Sequence, residues 1–357
     1  MRGACAALLR SLVVLAWFGA TSGLAQQRDP EDTAFADALD VVQPIAESCG
    51  ECHRAEFAVW ERTDHARGYN ALHRDPRAIA IAEAMDLPLI RRNSLCLDCH
   101  YTAVVASDET QELRAAHGVS CQSCHGAARS WIDTHNDYGV TERDFQRARA
   151  LETPAHAAQR NAAAAANGMR QPHDLYAMAT PCYQCHIVAV ADLVNQTPHS
   201  AGTFNFELVN WSQGRLRHNF LESYLTGDGT ENEQGTPEKM RLMYVTGRAL
   251  ALEYSLRALA RSTRYDNYFN LHRMRIDEAV RHAEVIAASA PAREVEEMLS
   301  AIGRIQLKPA NTEPLLQAAE EIAAATRRFL SSHDGSRLAG LDPMIAAGSE
   351  FVPLSSR

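Results

Sequence analysis

The chain has no cysteine to spare. Of its nine cysteines, eight fall in four Cys-x-x-Cys-His motifs and only Cys5 stands outside them. Disulfides, the usual use of cysteine in exported chains, are therefore excluded from everything that follows Cys5. Long apolar runs are also missing. The one near the start, Leu12-Val13-Val14-Leu15-Ala16-Trp17-Phe18, is short for a bilayer span of about 20 residues. No lipoprotein-type box follows Cys5. An excess of positive charge is lacking too: 35 Lys and Arg stand against 44 Asp and Glu, a formal net charge of −9. That balance argues against nucleic acid as a partner and favours a basic docking surface on a protein partner. Strand patterning is scarce throughout.

Arg2 and Arg10 flank the start of the apolar run, which leads into Ser22-Gly23-Leu24-Ala25. This order of positive region, apolar region and small residues reads as a secretory signal peptide cut after Ala25. A retained membrane anchor is the competing reading. Cleavage takes the formal charge from −9 to −11, because two arginines and no acids are lost. The expected location is the periplasm, with no stable membrane insertion once the signal is removed.

The four motifs are Cys49-Gly50-Glu51-Cys52-His53, Cys96-Leu97-Asp98-Cys99-His100, Cys121-Gln122-Ser123-Cys124-His125 and Cys182-Tyr183-Gln184-Cys185-His186. Two thiols at this spacing can each add to one vinyl group of the same porphyrin, and the adjacent histidine then lies beneath the iron as proximal ligand. Zinc knuckles would combine the motifs in pairs, and a redox dithiol would not require the histidine. The pattern predicts four covalent c-type haems, with His53, His100, His125 and His186 as proximal ligands.

Each iron needs a second axial ligand if it is only to pass electrons. Of 15 histidines, most of those outside the motifs lie near them: His65, His73, His117, His135, His156, His173, His199 and His218. His272, His282 and His333 lie farther on. The clustering suits bis-histidine haems. His65, shortly after the first motif, and His135, behind Gly126 and Trp131, read as distal ligands. His117, close before the third motif, reads as a ligand of a neighbouring haem. His199 reads as a ligand with His218 as its rival, while His73, His156 and His173 read as structural or exposed.

Ser48-Cys49-Gly50-Glu51-Cys52-His53, followed by Trp60 and Asp64-His65-Ala66, resembles the opening of the tetrahaem cytochrome c-554 family. Gly118-Val119-Ser120 through His125-Gly126, then Trp131 and His135, is similar to that family's third attachment segment. The likeness covers approximately Ser48 to His199 and is weak between motifs. It implies helices and irregular loops wrapped around haems stacked in close pairs. By the same resemblance His135 would serve the haem of His53, His65 that of His186, and His199 that of His125. The family's second haem can be five-coordinate. This chain departs there: if His117 binds that iron, all four haems are closed.

The expected fold is mainly α: a multihaem cytochrome c region, helices and loops around four haems, followed by a helical bundle. The expected divisions are a signal at 1–25, a polar lead-in at 26–44, a tetrahaem region at 45–225, a bundle at 226–335 and a tail at 336–357. Ala157 to Asn167 is alanine-rich, a helix or flexible spacer between the third and fourth attachment sites, and sets the distance between haem pairs. Thr226-Gly227-Asp228-Gly229-Thr230-Glu231 reads as a loop. Leu242, Val245, Ala249, Leu252, Leu256 and Leu259 then recur on one helical face. Further stripes run through Ile276, Ala279, Val280, Ala283 and Ile286, and through Val295, Met298, Leu299 and Ile302. A last one runs through Leu315, Ala319, Ile322 and Phe329, with Asn311 or Thr312 as cap and Pro314 near its first turn. The bundle carries no obvious chemistry. It reads as a scaffold, with a docking surface or oligomer interface as the sharper alternative.

Three functions follow. The first is a periplasmic electron carrier between a redox donor and a redox acceptor. The second is a multihaem oxidoreductase acting on a small nitrogen or sulfur compound at one open iron. Catalytic haems of that kind often have Lys in place of the motif histidine, and all four motifs here end in His. The third is a sensor or structural subunit whose haems report redox state.

Overall fold

The computed structural model describes residues 38–346, apart from 44, 46, 88, 107–111 and 216–233. The expected signal, the Thr226–Glu231 loop and His218 lie outside the described residues. The fold is mainly α-helical, as the sequence predicts.

The first half is made of short helices joined by loops. These are α1 (Glu47–Gly50), α2 (Arg54–Trp60), α3 (Asp64–Ala71), α4 (Pro76–Ala84), α5 (Ser94–His100), α6 (Cys121–His125), α7 (Ile132–His135), α8 (Phe145–Leu151), α9 (Pro154–Ala166), α10 (Leu175–His186) and α11 (Ala191–Gln196). Local capping explains their starts. The Thr63 hydroxyl accepts from Ala66 N, Asp75 accepts from Arg77 N with Pro76 opening the turn, and Asn93 accepts from Leu95 N. The alanine-rich stretch forms α9, which begins at Pro154 under a Thr153 cap. Three motif histidines, His100, His125 and His186, are the last residues of their helices.

One hairpin interrupts the helices. β1 (Tyr101–Val105) and β2 (Leu113–Gly118) pair antiparallel, with Tyr101 opposite Gly118, Thr102 opposite His117, and a bulge between Thr102 and Ala103. Sequence patterning gave no strand here, because each strand is short and lacks a polar–apolar alternation. The hairpin starts on the residue after His100 and ends three before Cys121, so it ties the second motif to the third.

The second half is built from α12 (Pro237–Leu259), α13 (Asn267–Ser289), α14 (Arg293–Gly303), α15 (Thr312–Ser332) and α16 (Asp342–Ala346). Helices α13 and α15 both pack on α12, and α14 closes on α15. The apolar stripes fall inside these helices. In α12 burial extends beyond the expected face: Met243, Leu250 and Ala258 are as buried as Leu256 and Leu259, while Leu242 is half-buried. A helix that is apolar on most sides is a central one. Asn311 stands at the start of α15 but does not cap it, since its amide donates to Gln306 O instead.

Apolar side chains gather into two large clusters, one within the second half and one joining it to α10, and three small ones in the first half. One large cluster runs from Tyr183 and Ile187 on and after α10 to Leu250, Ile286 and Phe329. The other lies between α12, α13, α14 and α15. The small clusters centre on Leu97 and Tyr101, on Val41 and Val104, and on Trp131 and Ala164. Among the described residues no helix is long and apolar enough to cross a membrane.

Candidate haem-binding cavity

Where a core is expected in the first half there is a cavity of about 2220 Å³. Pockets for one small molecule hold about 300–1,000 Å³, so this one has room for several macrocycles. All eight motif cysteines and all four motif histidines line it, as do His65, His135, His173 and His199.

The cysteines order the attachment points. The Cys49 thiol lies beside that of Cys121 and the Cys99 thiol beside that of Cys185, whose Sγ donates to Asp98 O of the second motif at 3.8 Å, while Cys124 lies within electrostatic reach of Cys182. The motifs thus follow one another in space as first, third, fourth, second. Burial pushes the Cys182 thiol up to about 12, so it stays protonated.

Three histidine pairs meet across the cavity. His53 and His135 have ring centres 6.4 Å apart, His65 and His186 6.2 Å, and His100 and His199 6.2 Å. Two imidazoles on opposite sides of one iron, with metal–nitrogen bonds of about 2.0–2.1 Å, set their ring centres about 6.3 Å apart. The donor set and its spacing therefore fit haem. Among the described residues no group of three or more His, Cys, Asp or Glu is arranged around a bare metal ion.

The rings are also held in one orientation. Nδ1 of His125 faces Arg170 O at 3.1 Å, Nδ1 of His135 faces Ile132 O at 2.5 Å, Nδ1 of His186 faces the Thr203 hydroxyl at 3.0 Å, and Nδ1 of His199 faces Ser200 O at 2.8 Å. A histidine whose Nδ1–H is anchored in this way presents Nε2 to a metal. Burial drives His100 and His186 down to about 4, so both imidazoles are neutral and free to coordinate at ordinary pH.

Residues far apart in sequence set these positions, and the motifs gave no sign of them. Gly118 passes so close to α3 that a Cβ there would stand 2.2 Å from His65 O. Gly202, at φ +105°, would place a Cβ 2.1 Å from His186 O, and Thr203 N donates to that same carbonyl at 3.0 Å. Gln122, inside the third motif, is buried and its amide makes three hydrogen bonds: Oε1 accepts from Val42 N and Ala128 N, and Nε2 donates to Val42 O. Arg160 donates to His135 O at 2.7 Å and is paired with buried Glu152. Arg170 donates to Cys124 O at 3.0 Å.

Two expected pairings differ. His199 stands beside His100 of the second motif rather than His125 of the third, because the Ser200–Thr203 segment is bonded back onto His186 and Val188. His117 does not line the cavity. It sits on β2 with its ring 5.1 Å from that of Trp60 and 5.7 Å from that of Tyr69. His156 is bonded to Glu152, and His272, fully buried in α13, meets Val188 O through Nε2.

A lined cavity, four attachment motifs and histidine rings paired across the cavity are what covalent c-type haem requires. A family model described as cytochrome c554 and c-prime matches residues 48–126, which span the first three motifs. The match supports an electron-transfer role of the c-type cytochrome kind and implies c-type haem with its iron; the chain resembles the tetrahaem cytochrome c-554 family. No curated protein and no solved structure matches the chain.

Proposed function

We propose that the chain is a periplasmic tetrahaem c-type cytochrome that transfers electrons between redox partner proteins. The observation that carries this reading is the set of three histidine pairs, 6.2–6.4 Å between ring centres, around a cavity lined by all eight motif cysteines. The cysteines would hold the four haems by thioethers. His53, His100, His125 and His186 would be the proximal ligands, and His135, His199 and His65 the distal ligands at the first, second and fourth motifs. The position of His117 between Trp60 and Tyr69 does not support it as a distal ligand.

Haem iron held by two imidazoles supplies one-electron redox chemistry at low potential and little else. The protein's own part is to fix geometry and field. Anchored Nδ1 atoms keep the rings of His125, His135, His186 and His199 in place, backbone contacts at Gly118 and Gly202 set the approach of His65 and His186, and burial keeps the imidazoles of His100 and His186 neutral. The acidic chain favours basic docking faces on the donor and acceptor, with no role for nucleic acid and no membrane insertion after signal cleavage.

Low-temperature EPR of the exported ferric protein tests the reading. Low-spin signals only, accounting for all the iron, are the result expected of a carrier. A high-spin ferric signal would identify an open iron and shift the reading to an oxidoreductase acting on a small nitrogen or sulfur compound. The third motif, whose distal ligand is not among the three pairs, is where that iron would lie.

A further inference from the structure

A second polar cluster lies behind the cavity wall at the second motif. Tyr69 on α3 is its hub. The Arg91 guanidinium carbon stands 3.9 Å from the Tyr69 ring centre, the His117 ring stacks at 5.7 Å, and Tyr101 meets Tyr69 edge-on at 6.4 Å. His73, in the 3₁₀ turn Leu72–Arg74, lies within electrostatic reach of Arg91.

Two buried donors of this cluster, Arg91 Nε and Nη2, have no hydrogen-bond partner, and the Tyr101 hydroxyl, which accepts from the backbone of His73, keeps its own proton to donate. Tyr101 is only 4% exposed and sits in an apolar cluster with Ile90, Leu97 and Ala115. Buried polar groups in folded proteins are almost always bonded, and an exception calls for a ligand, water or ion. The guanidinium cannot lose its proton, and no ion pair is formed by Arg91 among the described residues, although Glu47 lies within reach of His117. Nε and Nη2 are the two parallel donors on one edge of a guanidinium, the edge that matches two oxygens of a carboxylate.

We propose that Arg91, Tyr101, His73 and His117 form a binding site for one carboxylate or similar planar oxyanion, gripped by Arg91 Nε and Nη2 and by the Tyr101 hydroxyl. Two sources share this chemistry. Tyr101 follows His100 and lines the cavity, so a propionate of the haem at the second motif is the internal source. A small carboxylate from solution is the external one. The internal source rests on the haem reading of the function; the external one does not.

The test uses the exported protein, with its haem content fixed first by intact mass. Wild type, Arg91→Gln, Arg91→Lys and Tyr101→Phe are titrated with acetate by calorimetry and, in parallel, titrated redox-potentiometrically. An internal carboxylate predicts no acetate uptake by wild type and a lowered midpoint at one haem in Arg91→Gln. The lowering should be smaller in Arg91→Lys, which keeps charge but not the two-donor edge. An external carboxylate predicts saturable one-to-one acetate binding, at least tenfold weaker in Arg91→Gln. If Arg91→Gln fails to fold, Tyr101→Phe, which removes one oxygen, decides by the same two readouts. Absence of acetate binding in wild type together with unchanged midpoints in the variants overturns the proposal. A protein without haem would sink the haem reading and leave acetate alone to decide this one.

Discussion

The two halves of the molecule solve the problem of a core differently. In the α12–α15 region protein fills protein: Leu250 and Phe329 are fully buried in one apolar cluster and Leu256, Ile276 and Leu315 in another. Around the motifs the helices are short, the apolar clusters small, and the middle is a cavity of about 2220 Å³. Interiors are ordinarily close-packed, so the first half is a shell built around something that is not polypeptide. The second half then acts as a buttress, joined to the fourth motif through Tyr183, Ile187 and the Tyr176–Glu253 hydrogen bond.

The largest expected effect breaks the comparison outright. A variant with all eight motif cysteines replaced by serine should lose protease protection and fixed tertiary packing in the first half, while α12–α15 stay protected. Hydrogen exchange mapped by segment measures this, and native-like protection around the empty motifs would contradict it.

Ligand removal sharpens the comparison at single atoms. His65→Ala, His135→Ala and His199→Ala should each turn one low-spin ferric haem high-spin in EPR. His117→Ala should turn none, the reverse of what its place in the sequence led us to expect. A high-spin signal in His117→Ala would return that residue to the iron.

Smaller effects are expected where backbone meets backbone. Gly118→Ala forces a methyl to within 2.2 Å of His65 O. We expect a loss of about 1–3 kcal/mol, the usual range for overpacking, with a changed low-spin signal at one haem. The smallest effect belongs to the buttress. Tyr176→Phe removes the hydroxyl that donates to Glu253 at 2.8 Å. Because Glu253 keeps Arg257, the cost should be about 1 kcal/mol in thermal unfolding with haem spectra unchanged. A spectral change there would mean that the buttress shapes the haem sites.

The proposed attachment chemistry is legible in the sequence because it is local: five consecutive residues would carry both thiols and the proximal ligand. The bundle helices were legible because their apolar residues repeat at helical spacing over many turns. The distal side was only partly so. His65 and His135 stand where the resemblance implied, opposite His186 and His53, but His199 faces His100 instead of His125, and His117 turns towards Trp60 and Tyr69. Such pairings depend on how loops return, and no local pattern encodes that. The same holds for Gln122, which reaches Val42, and for Arg160, which reaches Glu152 and His135. The Arg91 cluster draws on five separate elements and has no sequence signature.

Intact-mass measurement of the exported, denatured protein tests the foundation most directly. Four covalently added haems on a chain beginning at Gln26 is the predicted result. A polypeptide without them, or carrying fewer than three, would leave the cavity without its proposed occupants and contradict the account.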